Sequence, residues 1–196
     1  MTVVKSAYEK AMEKIKEIDT LSPEEREYLK DREHMRTLLS AFYRGELARD
    51  EIWAKFRQLK APLLKEAQQL IADSLRLGGT SAEFIQRKDG ILAIEALKEE
   101  QNTAAIETSL NAIANLQREY RDLKERAVKE LRAAIQENPH LRARPVRTPD
   151  GKTVLQASLS VEEAVQLRVA EFLAEHEKKY DIMFGKAFDR LKKELD

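Results

Sequence analysis

The feature that most constrains this chain is a helical pattern running from Ala82 to Glu137, bounded by Gly78-Gly79 before it and Asn138-Pro139 after it. At about 1.5 Å per residue an unbroken helix of that length reaches roughly 85 Å, several times an ordinary globular helix. From Ile106 onward the apolar positions recur as Ile106, Leu110, Ile113, Leu116, Tyr120, Leu123, Ala127, Leu131 and Ala134. Steps of three and four make the narrow seam of a coiled coil. A seam that long does not stay in water, so the rest of the chain must cover it.

Composition agrees with long helices. Charged residues make up 36% of the chain, with only 6 Gly and 5 Pro as breakers. Lys plus Arg equals Asp plus Glu at 35 each, so no global field draws the chain to nucleic acid or an anionic membrane. There is no cysteine, which excludes disulfides and thiolate chemistry. No run approaches the roughly 20 apolar residues of a membrane span. Met1–Ile18 alternates Lys and Glu rather than building the apolar core of a signal peptide. The expectation is a cytoplasmic protein with no membrane partner.

The first eighty residues read as short helices. Val4, Tyr8, Ala11, Ile15 and Ile18 form a stripe over Val3–Asp19. Ser22-Pro23, with Glu25 at the third helical position, is a capping box opening a second helix that Gly45 ends. Asp50 reads as the cap of a third helix carrying Ile52, Trp53, Phe56 and Leu59, with Trp53 and Phe56 expected in the core. Pro62 opens a fourth, stopped by Gly78-Gly79. Thr80 or Ser81 then caps the long helix, in which Gly90 is the weak point and a kink or restart is expected.

After Asn138-Pro139, two β-prone runs, Arg142–Arg147 and Thr153–Leu159, flank Pro149-Asp150-Gly151-Lys152, a turn signal that predicts a β-hairpin. Ser160 with Glu163 caps a last helix whose seam is Val165, Val169, Phe172, His176, Tyr180, Met183, Ala187 and Leu191. A hairpin between two long helices returns them antiparallel, with Glu137 beside Val161 and Leu195 near Thr103. The expected fold is therefore mainly α. A bundle of short helices (1–79) sits on a long helix, which pairs antiparallel with the carboxyl-terminal helix through a β-hairpin at about 142–159. Within the second region, 80–196, residues 82–102 are expected to pack on the bundle.

No catalytic, cofactor-binding or metal constellation emerges, and no enzyme activity is expected. His34 and His140 have no partner His at ligand spacing. His176 lies in the apolar seam as a structural histidine. Two groups remain as candidate contact residues. Arg142, Arg144, Arg147 and Lys152 cluster around the turn against one acid, Asp150, a pattern suited to phosphates or an acidic protein surface. Charge protecting a strand edge accounts for the same residues. Asn102, Ile106, Ser109, Asn111 and Asn115, among the small residues of Gln101–Gln117, form a candidate oligomer interface. They also suit a thin helix packed by neighbours of its own chain.

The helix–hairpin–helix order of residues 82–196 resembles the β-type subunit of prefoldin chaperones. The likeness is one of topology, carried by no motif, and it implies chaperone-like activity. The expected function is a non-enzymatic, self-associating helical interaction or scaffolding protein with protein partners. The alternative is nucleic-acid or nucleoprotein binding through the basic hairpin.

Overall fold

The computed structural model describes residues 21–147, 149–151, 153–157 and 159–196; the stripe over Val3–Asp19 lies outside them. The described chain is mainly helical. Its α-helices are α1 (Pro23–Tyr43), α2 (Arg49–Phe56), α3 (Ala61–Asp73), α4 (Ser81–Glu95), α5 (Thr103–Glu137) and α6 (Val161–Leu195). Between α5 and α6 lie a 3-10 turn (Pro139–Arg142) and two short strands, β1 (Ala143–Arg147) and β2 (Thr153–Ala157). These pair antiparallel, from Ala143 opposite Ala157 to Arg147 opposite Thr153. Two compact units result. Of the described residues, one comprises those up to Ser74 with Gln86–Gln101, and the other Leu75–Ile85 with those from Asn102 to Asp196.

The first unit is built on capped, one-sided helices. Ser22 Oγ accepts from the Glu25 N–H at 3.2 Å while the Ser22 N–H donates to the Glu25 carboxylate at 2.7 Å. The hydrogen bonds with Ser22 hold the Glu25 carboxyl below its ordinary range. Helix α1 ends where Gly45 takes φ +75°, with the Glu46 N–H on the Ala41 carbonyl and the Gly45 N–H on the Phe42 carbonyl. This double bond closes the last turn with a left-handed residue that glycine adopts at no steric cost. The buried side chains come from every helix of the unit, among them Met35, Phe42, Ile52, Phe56, Leu63, Ile71, Ile91 and Ile94. Trp53, expected in the core, is 43% exposed, with the Arg57 guanidinium 5.9 Å from its ring. Phe56, expected in the core beside it, is fully buried.

The helical pattern over 82–137 is interrupted, but not at the position expected. Helix α4 ends at Glu95, and 96–100 are turn and bend, with 101–102 irregular, before α5 begins at Thr103. The Gln101 side-chain amide donates to the Ala96 and Lys98 carbonyls, taking over the carbonyls that a continuing helix would use. Glu95 is buried at the end of α4. There it accepts from the Gln68 amide at 2.8 Å and pairs with Lys98 at 3.1 Å. Gly90 is not the joint. It lies inside α4, where a Cβ would come within 2.7 Å of Phe42 Cζ and 3.1 Å of Ile71 Cδ1. Glycine is there because the neighbouring side chains leave no room for more.

In the second unit, the seventy residues of α5 and α6 lie side by side in opposite directions. Arg132 bonds Glu162 at 2.6 Å, Tyr120 packs on Tyr180 with ring centroids 5.4 Å apart, and Asn102 donates to Glu194 at 2.7 Å. Near the turn, Ile135, Ala164, Val165 and Val169 form a buried cluster. Val128, Leu131, Leu141, Leu159, Val161 and Leu173 pack around it. The loop into α4 is fastened to α5 within the same unit. The Gln117 amide donates to the Arg76 carbonyl, and Arg121 donates to Ser81 Oγ.

Two glycines test this packing in opposite directions. Gly90→Ala is expected to destabilise the protein by about 1–3 kcal/mol, since the clash outweighs the gain in helix propensity. Gly185, in α6, has open space around a built Cβ, so Gly185→Ala is expected to stabilise by about 1 kcal/mol. Urea denaturation of both variants checks the pair.

Candidate interaction surface

The surface that the fold builds lies along α5. Its apolar positions repeat at heptad spacing, but α6 covers only part of that face in the half nearest the strands. A groove of about 330 Å³ runs there, lined by Leu123, Ala127, Leu131 and Ala134, with Phe172 of α6 as one wall. Arg126 and Glu130 stand on its rim. Ala127 is buried at its floor, Leu123 and Leu131 are half-buried, and Ala134 is exposed. The small residues in the stripe leave the space. A leucine or methionine at Ala127 or Ala134 would fill much of it.

Farther along the pair, Tyr120 and Tyr180 continue the contact. Burial, with Glu177 and Asp181 nearby, raises the Tyr120 hydroxyl above its ordinary range. His176 is half-buried. Its Nδ1–H donates to the Phe172 carbonyl at 2.9 Å, and its ring stacks on Phe172 with centroids 4.3 Å apart. Both contacts are local to α6 and orient the imidazole. Among the described residues no group of three or more His, Asp or Glu is arranged to hold a metal ion, and no helix is long and apolar enough to cross a membrane.

The residues proposed as an oligomer interface from sequence do not share one surface. Ile106 and Ser109 are buried inside the chain. Asn102 is engaged with Glu194. Asn111 and Asn115 are exposed, and Asn115 accepts from Arg118 one turn on. The amide-rich segment thus divides between an inward and an outward face, as the helical period requires of residues three and four apart from those between. A common interface through all five is not available.

The basic residues are also distributed over different elements. Arg142 belongs to the 3-10 turn rather than to a strand, so strand alternation does not place it beside Arg144. Asn138 Oδ1 opens that turn by accepting from the His140 N–H at 3.2 Å. The Leu159 N–H meets the Arg142 carbonyl at 3.4 Å. Arg142 is half-buried, and its Nε is enclosed without a hydrogen-bond acceptor. Arg144 and Arg147 occupy β1 opposite Gln156 and Thr153. Lys152 lies outside the described residues.

Sequence reasoning identified Leu123, Ala127, Leu131 and Ala134 as seam residues but treated the seam as fully covered. The signal for the groove was present in its alternation of large and small side chains. In comparisons with known protein families, curated proteins and solved structures, nothing matches the chain.

Ser109 gives a direct test of its inward position. Its hydroxyl is buried with no hydrogen-bond partner. Ser109→Ala is expected to leave stability unchanged or raise it by about 1 kcal/mol, because the desolvated hydroxyl is removed. A loss of similar size in urea denaturation would contradict the burial described.

Proposed function

We propose that this protein is a non-enzymatic helical interaction or scaffolding protein that associates with itself through its paired long helices. The observation that supports this reading most is the apolar groove on the flank of the α5–α6 pair, opening beside a rim of opposite charges. Contiguous apolar surface bordered by polar residues is the usual character of a protein contact. Long antiparallel helices also present such a surface on a rigid support, which limits the ordering cost of association. The element order implies chaperone-like activity as one form of this role. Suppression of the aggregation of a heat-denatured client protein is the corresponding assay.

A second reading assigns the basic tip to nucleic acid. The feature in its favour is the cluster of Arg142, Arg144 and Arg147 within six residues, against a single acid, Asp150. Phosphate oxygens suit such donors.

The two readings predict different measurements. Self-association predicts that the weight-average mass in sedimentation velocity rises with protein concentration and approaches twice that of the chain. A mass that stays at one chain across the accessible range would overturn it. Nucleic-acid binding predicts retardation of RNA or DNA at low salt that weakens as salt rises and is lost in the triple variant Arg142→Ala, Arg144→Ala, Arg147→Ala. Absence of retardation at low salt would remove that reading.

A further inference from the structure

The groove is self-complementary in both size and charge. Along α5 it presents Leu123, Ala127, Leu131 and Ala134, large and small in alternation, while Arg126 and Glu130 sit one turn apart on the rim. Among the described residues neither Arg126 nor Glu130 forms an ion pair; the Arg126 Nε–H donates to the Asp122 carbonyl at 3.3 Å. We infer that the occupant of the groove is a second copy of the same helix, crossing antiparallel about a two-fold axis close to Lys129.

That arrangement follows from pairing alone. Turning α5 about an axis near Lys129 brings Leu123 opposite the partner's Ala134 and Ala127 opposite the partner's Leu131. By symmetry each contact occurs twice. Large side chains then enter the spaces left by small ones, as a well-packed interface requires. The same rotation brings Arg126 near the partner's Glu130 and Glu130 near the partner's Arg126. A parallel copy in register instead sets arginine against arginine, glutamate against glutamate and alanine against alanine, leaving the space unfilled. Opposite charges one turn apart on a single helix are satisfied across a two-fold only when the helices run in opposite directions.

The stretch from Leu123 to Ala134 is about 18 Å long. A contact of that length is at the small end of specific interfaces, so the chain exchanges between monomer and dimer rather than forming a permanent dimer. This inference rests on the self-association reading and adds its partner, contact and direction.

Sedimentation velocity of the full chain with rim charges reversed tests it. Arg126→Glu and Glu130→Arg each place like charges together twice in the dimer, and each is expected to weaken dimerisation by about tenfold. The double reversal is expected to recover the wild-type constant to within about threefold, and an equimolar mixture of the two single variants to associate better than either alone. Both positions are exposed, and circular dichroism verifies that the variants keep their helices. A wild-type dimer indifferent to either reversal would overturn this contact while leaving self-association standing. Weakened single variants that neither the double reversal nor the mixture restores would overturn the antiparallel direction. A wild type monomeric at every concentration, its groove open or covered by another segment of its own chain, would overturn both readings.

Discussion

The second unit depends on a mismatch between two helices of equal length. Helix α5 carries an apolar face that α6 leaves partly open, with Phe172 of α6 walling one side of the gap. Near the turn the mismatch is resolved by the cluster of Ile135, Val165 and Val169, with Leu131, Leu141 and Leu159 packed around it. One helical position to the side, Ala127 and Ala134 are too small to close the surface, and the groove remains. The pairing is fixed by contacts along its length, from Arg132–Glu162 to Asn102–Glu194. Exposed polar contacts of this kind contribute at most about 1 kcal/mol each, so direction and register rest on apolar burial.

Local signals in the chain were the most legible. Ser22 with Glu25 and Ser160 with Glu163 form the capping boxes that their spacing predicts. Gly45 closes α1, and the mainly helical class follows from periodicity. The antiparallel course of α5 and α6 was readable because the turn signal at Pro149-Asp150-Gly151-Lys152, between two β-prone runs, reverses the chain between the helices. What failed depended on tertiary packing. Gly90 resembled a helix breaker, yet it is the residue that lets α4 approach Phe42 and Ile71. The true interruption at 96–102 contains no Gly or Pro; it depends on the Gln101 amide and on Glu95 being held by Gln68 and Lys98. No local pattern announces a side chain that will turn back to cap its own helix.

The candidate surfaces show the same division. Counting small and amide residues selected a segment whose Ile106 and Ser109 turn inward. Counting arginines selected a group spread over a turn, a strand and a residue outside the described set. The groove residues were all visible as seam positions. Which of them a partner helix covers depends on the width of that partner, which sequence spacing does not specify. Trp53 illustrates the converse, since helical phase and an aromatic ring placed it inside while Phe56 occupies the core.

A nitroxide at a single engineered cysteine measures the central claim most directly, because the chain contains no native cysteine. Pulsed dipolar spectroscopy of a label at Lys129, an exposed position, is expected to give an intermolecular distance of about two helix diameters or less. The same label at Glu107 is expected to fall beyond about 60 Å, since the rise along two antiparallel helices separates the sites. Similar short distances at both positions would contradict an antiparallel pair centred near Lys129, and no intermolecular distance at Lys129 would contradict the groove as the contact between two copies.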